Sequence, residues 1–142
     1  MAVQDLEGFT SHQEAADARL LLYATGFILD TISEKYGDTI QPKEIAQRTR
    51  SAASIIITQV GHDGCMAMEG YEVQDLLCRL SGLFTELNNS MKRNNLRNAS
   101  TLCAMLAGRL GVFCGRTGGG DKRAYKQQVK YSNTMKPPMP GR

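Results

Sequence analysis

The chain has 142 residues, 42% hydrophobic and 22% charged, with a net charge of +3 and no tryptophan. One domain of that length buries a core without disulfide staples, and the composition is that of a soluble globular protein rather than a disordered or fibrous one. The modest net charge hides a division: residues 115–142 carry seven Lys or Arg against one acid, a net of +6, and residues 1–114 carry a net of −3.

The opening residues "MAVQDLEGFTS" show no basic segment leading into an apolar run, so no secretory signal is expected. The longest apolar stretch, residues 20–29, is too short to span a bilayer. These readings place the protein in the cytoplasm and away from membranes. The four cysteines (Cys65, Cys78, Cys103 and Cys114) are accordingly expected as reduced thiols.

Residues 1–10 read as an N-terminal extension. Ser11 and Glu14 then form an S-x-x-E capping box at the start of a first helix. Leu20, Leu21, Ala24, Phe27, Ile28 and Ile32 recur at helical spacing, and Gly37 is placed to end the helix in the left-handed conformation. Leu22, Tyr23 and Leu29 leave little of the mid-section polar, so burial on more than one side is expected.

A second helix is predicted from Pro42, a residue tolerated in a first turn, to a stop at Gly61. Its core face comprises Ile45, Thr49, Ala52, Ala53, Ile56 and Val60. The β-branched run Ile55 to Thr58 suits a strand equally well by propensity. A helix-turn-helix within residues 42–55 is disfavoured, because no sharp turn interrupts the periodicity.

The third helix carries the cleanest pattern. Val73, Leu76, Leu77, Leu80, Leu83, Phe84, Leu87 and Met91 follow the i, i+3, i+4, i+7 template, with Asp75 and Arg79 placed for an ion pair on the polar side. A polar run from Asn88 to Ser100 separates it from a fourth helix over residues 99–114, with Asn98 as its N-cap. There Leu102, Leu106, Leu110 and Phe113 form a core stripe, and Ser100, Ala104, Gly108, Gly111 and Gly115 a stripe of small residues. A helix with almost no polar face is covered all round, either in the middle of its own bundle or as half of a subunit interface; with only three other helices to cover it, an interface using Ala104, Gly108, Gly111 and Phe113 is favoured.

Beyond Gly115 the periodicity ends, and residues 116–142 read as a flexible basic tail. The glycines of "CGRTGGGDKR" match a phosphate-binding loop only in the spacing of Gly115 and Gly120. Asp121 stands where the lysine belongs, Arg123 follows Lys122 where a hydroxyl is required, and a helix rather than a strand precedes the loop. The stretch reads as a hinge.

His62-x-x-Cys65 supplies one close ligand pair where structural zinc sites use two, and the other cysteines fall in apolar helices, so no metal is expected. Neither His12 nor His62 sits in a catalytic motif, and no cofactor is implied. The tail interleaves Lys122, Arg123, Lys126 and Lys130 with Tyr125 and Tyr131, pairing phosphate neutralisation with stacking surfaces for bases. Lys92, Arg93 and Arg97 form a second basic cluster among amides, and Arg116 opens the tail.

The expectation is an all-α bundle of about four helices over residues 11–115 with a flexible basic C-terminal tail. It describes a non-enzymatic binding and assembly protein, homo-oligomeric, that contacts RNA or DNA through the tail and the 92–97 cluster. The alternative is an adaptor or inhibitor that binds another protein with its helical body.

Overall fold

The computed structural model describes residues 8–116. The expectations placed on the tail, including the hinge glycines 118–120, Lys122, Arg123, Tyr125, Lys126, Lys130 and Tyr131, lie outside the described residues. Within them the chain is all helical: α1 (His12–Tyr36), α2 (Lys43–Ser54), a π-helical turn (Ile55–Val60), α3 (Gly61–Ala67), α4 (Gly70–Arg93) and α5 (Arg97–Gly111). The α2, π and α3 segments follow one another without a loop, so the bundle has four main helical stretches. None of the described helices is long and apolar enough to cross a membrane.

The N-terminus of α1 forms as its capping pattern requires. Ser11 Oγ accepts from the Glu14 amide at 3.0 Å. The Glu14 carboxylate reaches back one residue further than in the standard box, accepting from the Thr10 amide at 2.6 Å and the Thr10 hydroxyl at 3.0 Å. The buried stripe of α1 is Ala15, Ala18, Leu22, Thr25, Gly26, Leu29 and Ile32. It is displaced from the sequence expectation: Leu20 and Phe27 are 50% and 45% exposed. With nearly every residue from 20 to 29 apolar, periodicity lacked a polar marker. The choice was made by Gly26, where a Cβ would come within 2.6 Å of the Ile56 side chain. Only glycine permits that approach, so this side of α1 faces the body.

At the other end, Gly37 has φ −56° and stays right-handed, contrary to expectation. The amides of Thr39 and Ile40 both bond to the Tyr36 carbonyl, satisfying the helix end without a left-handed residue. Pro42 is extended and serves as the N-cap of α2, not its first helical residue. Ile45, Thr49, Ala53 and Ile56 are buried as predicted. The β-branched run is helical, but in the wider π form, and Gly61 ends it with φ +75°. The short α3 that starts there was not anticipated.

α4 follows its periodicity closely. Val73, Leu77, Leu80, Leu83, Phe84, Leu87 and Met91 are buried, and Arg79 pairs with Asp75 at 3.1 Å. α5 begins at Arg97 with Leu96 as N-cap, so Asn98 lies inside the helix instead of capping it. Its core face is Ala99, Ser100, Cys103, Leu106 and Leu110; Leu102, expected in the core, is 43% exposed.

α5 packs along α4, and α1 packs chiefly on α2, the π turn and α3, with α4 touching both α1 and α2. The α4–α5 contact is close. Ser81 Oγ donates to the Ala107 carbonyl at 2.7 Å, and the Ser100 hydroxyl donates to the Asn88 side-chain carbonyl. At its far end Cys78 and Cys114 form a disulfide with Cα atoms 4.9 Å apart. This corrects the expectation of four thiols: that expectation came from compartment, whereas the turn after α5 carries Cys114 onto α4. Cys65 and Cys103 remain thiols, both buried.

Candidate nucleic-acid interface

The 92–97 cluster is assembled where α4 hands over to α5. Lys92 and Arg93 occupy the last turn of α4, a place where cations oppose the negative end of the helix dipole. The chain then reverses through Asn94 to Leu96, with Asn95 at φ 61°. The Asn94 amide bonds to the Ser90 and Met91 carbonyls and the Leu96 amide to Met91, closing the helix end. The Asn94 side chain adds a 2.8 Å bond to the Ser90 carbonyl. Arg93 is further fixed by donating to the Gln41 carbonyl at 3.1 Å, which ties the α1–α2 loop to this corner.

Arg97 is the first residue of α5, where a cation faces the positive end of the dipole. That turn contains no acid and its N-cap offers no side-chain bond to the amides. An uncapped helix N-terminus flanked by Lys92 and Arg97 has the donors and the field to hold an oxyanion. Both residues are exposed, and no ion pair among the described residues engages Lys92, Arg93 or Arg97. The acid-free character extends beyond the corner: no Asp or Glu occurs between Glu86 and Asp121.

Arg116 does not join this corner. It sits past the opposite end of α5, about 20 Å away at 1.5 Å per helical residue. Its guanidinium bonds to Glu14 at 2.8 Å and lies over the Phe113 ring at 5.3 Å from the centroid. The Thr10 amide chiefly, with further help from Arg116 and the Thr10 hydroxyl, holds the Glu14 carboxyl below its ordinary value against a smaller opposing effect of burial. This Arg116 pairs with a carboxylate in its own chain instead of presenting its charge for a phosphate.

The four residues expected at an oligomer interface are split by the fold. Ala104 and Gly108 are exposed, and a Cβ built on Gly108 would meet nothing within 4 Å. Gly111 faces Ser81 of α4, 3.3 Å from a built Cβ. Phe113 is 6% exposed and meets Phe9 edge-on at 6.1 Å, so it belongs to the chain's own core.

A concavity of about 450 Å³ lies between α2 with its π turn and α4. Ile55, Ile56, Leu76, Leu80 and Leu83 supply its apolar lining, and Arg48 and Arg79 its rim. Both arginines are already paired, Arg48 with Glu86 at 2.7 Å and Arg79 with Asp75.

Burial pushes the Cys103 thiol up to about 11 and raises that of Cys65, which keeps both protonated and unreactive at neutral pH. His62 bonds to Asp63 at 3.2 Å and packs edge-on against Tyr23. Among the described residues no three His, Cys, Asp or Glu side chains gather as a metal site.

The disulfide and the Arg116–Glu14 pair are the features that sequence reasoning missed. Spacing alone leaves three ways to pair four cysteines, and the pair joins residues 102 positions apart. Comparisons with family models, with curated proteins and with solved structures each return no match.

Proposed function

We propose that the chain is a non-enzymatic helical binding and assembly protein that contacts a nucleic acid through the α4–α5 corner and the basic residues after Arg116. The observation that carries this reading is the unpaired cationic corner, Lys92, Arg93 and Arg97, around the uncapped start of α5. Phosphates placed there would meet helix amides and three cations with no acid in the same segment of chain. The contact is with the backbone, so it positions a strand without specifying its sequence. Assembly into oligomers is part of the same proposal.

Fluorescence anisotropy with a mixed-sequence oligonucleotide tests the contact. Affinity should fall steeply between 50 and 200 mM salt, roughly as expected for several phosphates neutralised. The double variant Lys92→Ala/Arg97→Ala retains the Arg93 link to Gln41 and should flatten the salt slope by about two. Deleting residues 117–142 should remove most of the remaining affinity. Binding that ignores salt, or that survives both changes, would sink the reading.

The 450 Å³ groove favours a second reading, a protein-binding adaptor with no nucleic-acid role. A photo-crosslinker at Ile55, which is 45% exposed on the groove wall, would label a bound partner peptide under that reading and remain unreacted under the first. The Cys78–Cys114 bond favours an oxidising compartment over the cytoplasm expected from the opening residues and the short apolar stretches.

A further inference from the structure

Two helix faces are apolar and exposed, and they carry opposite charge. On α1 the outward face holds Leu20 and Phe27, 50% and 45% exposed, with Ala16 and Ala24 between and beside them. The spacing is that of a helix-packing seam, and Asp17, Asp30 and Glu34 border it, with Lys35 as the cation at its end. On α5 the outward face holds Leu102 and Met105, 43% and 61% exposed, and Val112 at its C-cap is 53% exposed. Arg97 and Arg109 accompany them, and α5 contains no acid.

Each face lies opposite the buried stripe of its own helix, so both are turned away from the body and cannot meet within one chain. Between two chains they fit. Asp17 and Asp30 are 13 positions apart, about 20 Å along α1; Arg97 and Arg109 are 12 apart, about 18 Å along α5. In each case the charges bracket apolar side chains. At the Arg109 end of the α5 face, Gly108 leaves a recess where a built Cβ would touch nothing. Pairing α5 with a second α5 would set guanidinium against guanidinium, and α1 with a second α1 carboxylate against carboxylate. Charge therefore selects the mixed pair.

We propose that the chain assembles by packing α1 of one copy, antiparallel, on α5 of the next, with Asp17 and Asp30 opposite Arg109 and Arg97, with Leu20 beside the Gly108 recess and with Phe27 nearer Leu102. The antiparallel arrangement also opposes the two helix dipoles. The contact is heterologous, so repetition gives a closed ring or an open filament, not a two-fold dimer through a single patch. It deepens and rests on the assembly half of the function proposed above, and it draws on one residue of the nucleic-acid half, Arg97.

Charge exchange tests it on nuclease-treated full-length protein by sedimentation velocity. The unmodified chain should sediment well above its 15.6 kDa mass at tens of micromolar, and less so as salt rises. Asp17→Lys/Asp30→Lys sets lysine against arginine, and Arg97→Glu/Arg109→Glu sets glutamate against aspartate. Each variant alone should assemble at least about tenfold more weakly, since two favourable pairs become repulsive. Mixed in equal amounts they regain complementary faces and should co-assemble.

All four positions are exposed, and helical circular dichroism verifies that the variants fold. Gly108→Leu, which fills the recess without altering charge, should weaken assembly as well. Lys92→Ala leaves every residue of the interface in place; it should weaken oligonucleotide binding without altering the sedimentation of the nuclease-treated protein, which separates failure of the interface from failure of the nucleic-acid reading. A monomer at hundreds of micromolar, charge variants that assemble like the unmodified chain, or a mixture that stays monomeric would each overturn the proposal. So would a chain that is monomeric in solution and binds anionic vesicles through Arg97 and Arg109.

Discussion

α5 is joined to the molecule almost wholly through α4, whereas α1 spreads its contacts over α2, the π turn, α3 and α4. The two regions solve the same packing problem with different chemistry. The α4–α5 pair is a hairpin with a three-residue turn at one end and a disulfide at the other, and two seryl hydroxyls bond across the seam. The α1–α3 region has no covalent tie among its described residues; it relies on the close approach of Gly26 to Ile56 and on the buried Leu22, Leu29 and Ile32. A helix supported on one side needs a clamp, while a helix supported on several sides needs only fit. The charge follows the same division, with every acid of the described residues at or before Glu86.

The largest effects should come from the core that both regions share. Phe84 is fully buried on α4, and Phe84→Ala should cost about 3–5 kcal/mol in urea unfolding. Leu29→Ala on α1 should cost about 2–5 kcal/mol. If the regions fold as one unit, both variants will shift a single transition monitored by circular dichroism. Two separated transitions would break the comparison into two domains.

Next comes the clamp. The disulfide closes a loop with a sequence separation of 36, and Cys78→Ser/Cys114→Ser should lose about 3–4 kcal/mol on chain-entropy grounds. Hydrogen exchange should locate the loss: amides of α5 and the turn after it should exchange faster, and those of α2 should change little. Uniform loss would mean that α5 is not the part that depends on the bond.

A pair of glycine substitutions sharpens the contrast between fit and exposure. Gly26→Ala drives a Cβ into Ile56 and should destabilise by about 1–3 kcal/mol. Gly108→Ala adds a Cβ in open space within a helix and should stabilise the monomer by up to about 1 kcal/mol through helix propensity. Thermal melts suffice, and equal signs would contradict the assignment of inner and outer faces.

The smallest effect concerns the ionic contact that brings the two regions together at Glu14. Its carboxyl is held below the ordinary value of 4.5, so the contact stabilises the fold fully above that pH and is lost as pH falls through the lower folded value. Glu14→Gln should therefore reduce stability at neutral pH by less than about 1 kcal/mol and flatten the acid side of the stability profile below pH 4.5. A steeper acid limb in the variant would refute the assignment.

Much of this architecture is legible along the chain. The eight-residue apolar pattern of α4 places its core face, the Ser11–Glu14 pair marks the start of α1, and the spacing of Asp75 and Arg79 predicts their bond. These features are local: a helix repeats every 3.6 residues, so a strong amphipathic stripe or a cap is written within one or two turns. The basic cluster at 92–97 is legible for the same reason, because a short reversal keeps its members together.

The remainder depended on elements far apart in sequence. Which side of the nearly all-apolar α1 turns inward was decided by Gly26 meeting Ile56, and the outward turn of Leu20 and Phe27 followed. The burial of Phe113 depended on Phe9, the engagement of Arg116 on Glu14, and the pairing of Cys78 on the turn that returns Cys114 to α4. The sequence by itself determined the long helices α1, α4 and α5, the core stripe of α4 and the segregation of charge, because periodicity and composition act locally. Only the tertiary structure decided which apolar faces are covered and which charges are engaged, because those choices depend on residues that the chain brings together only after it has folded.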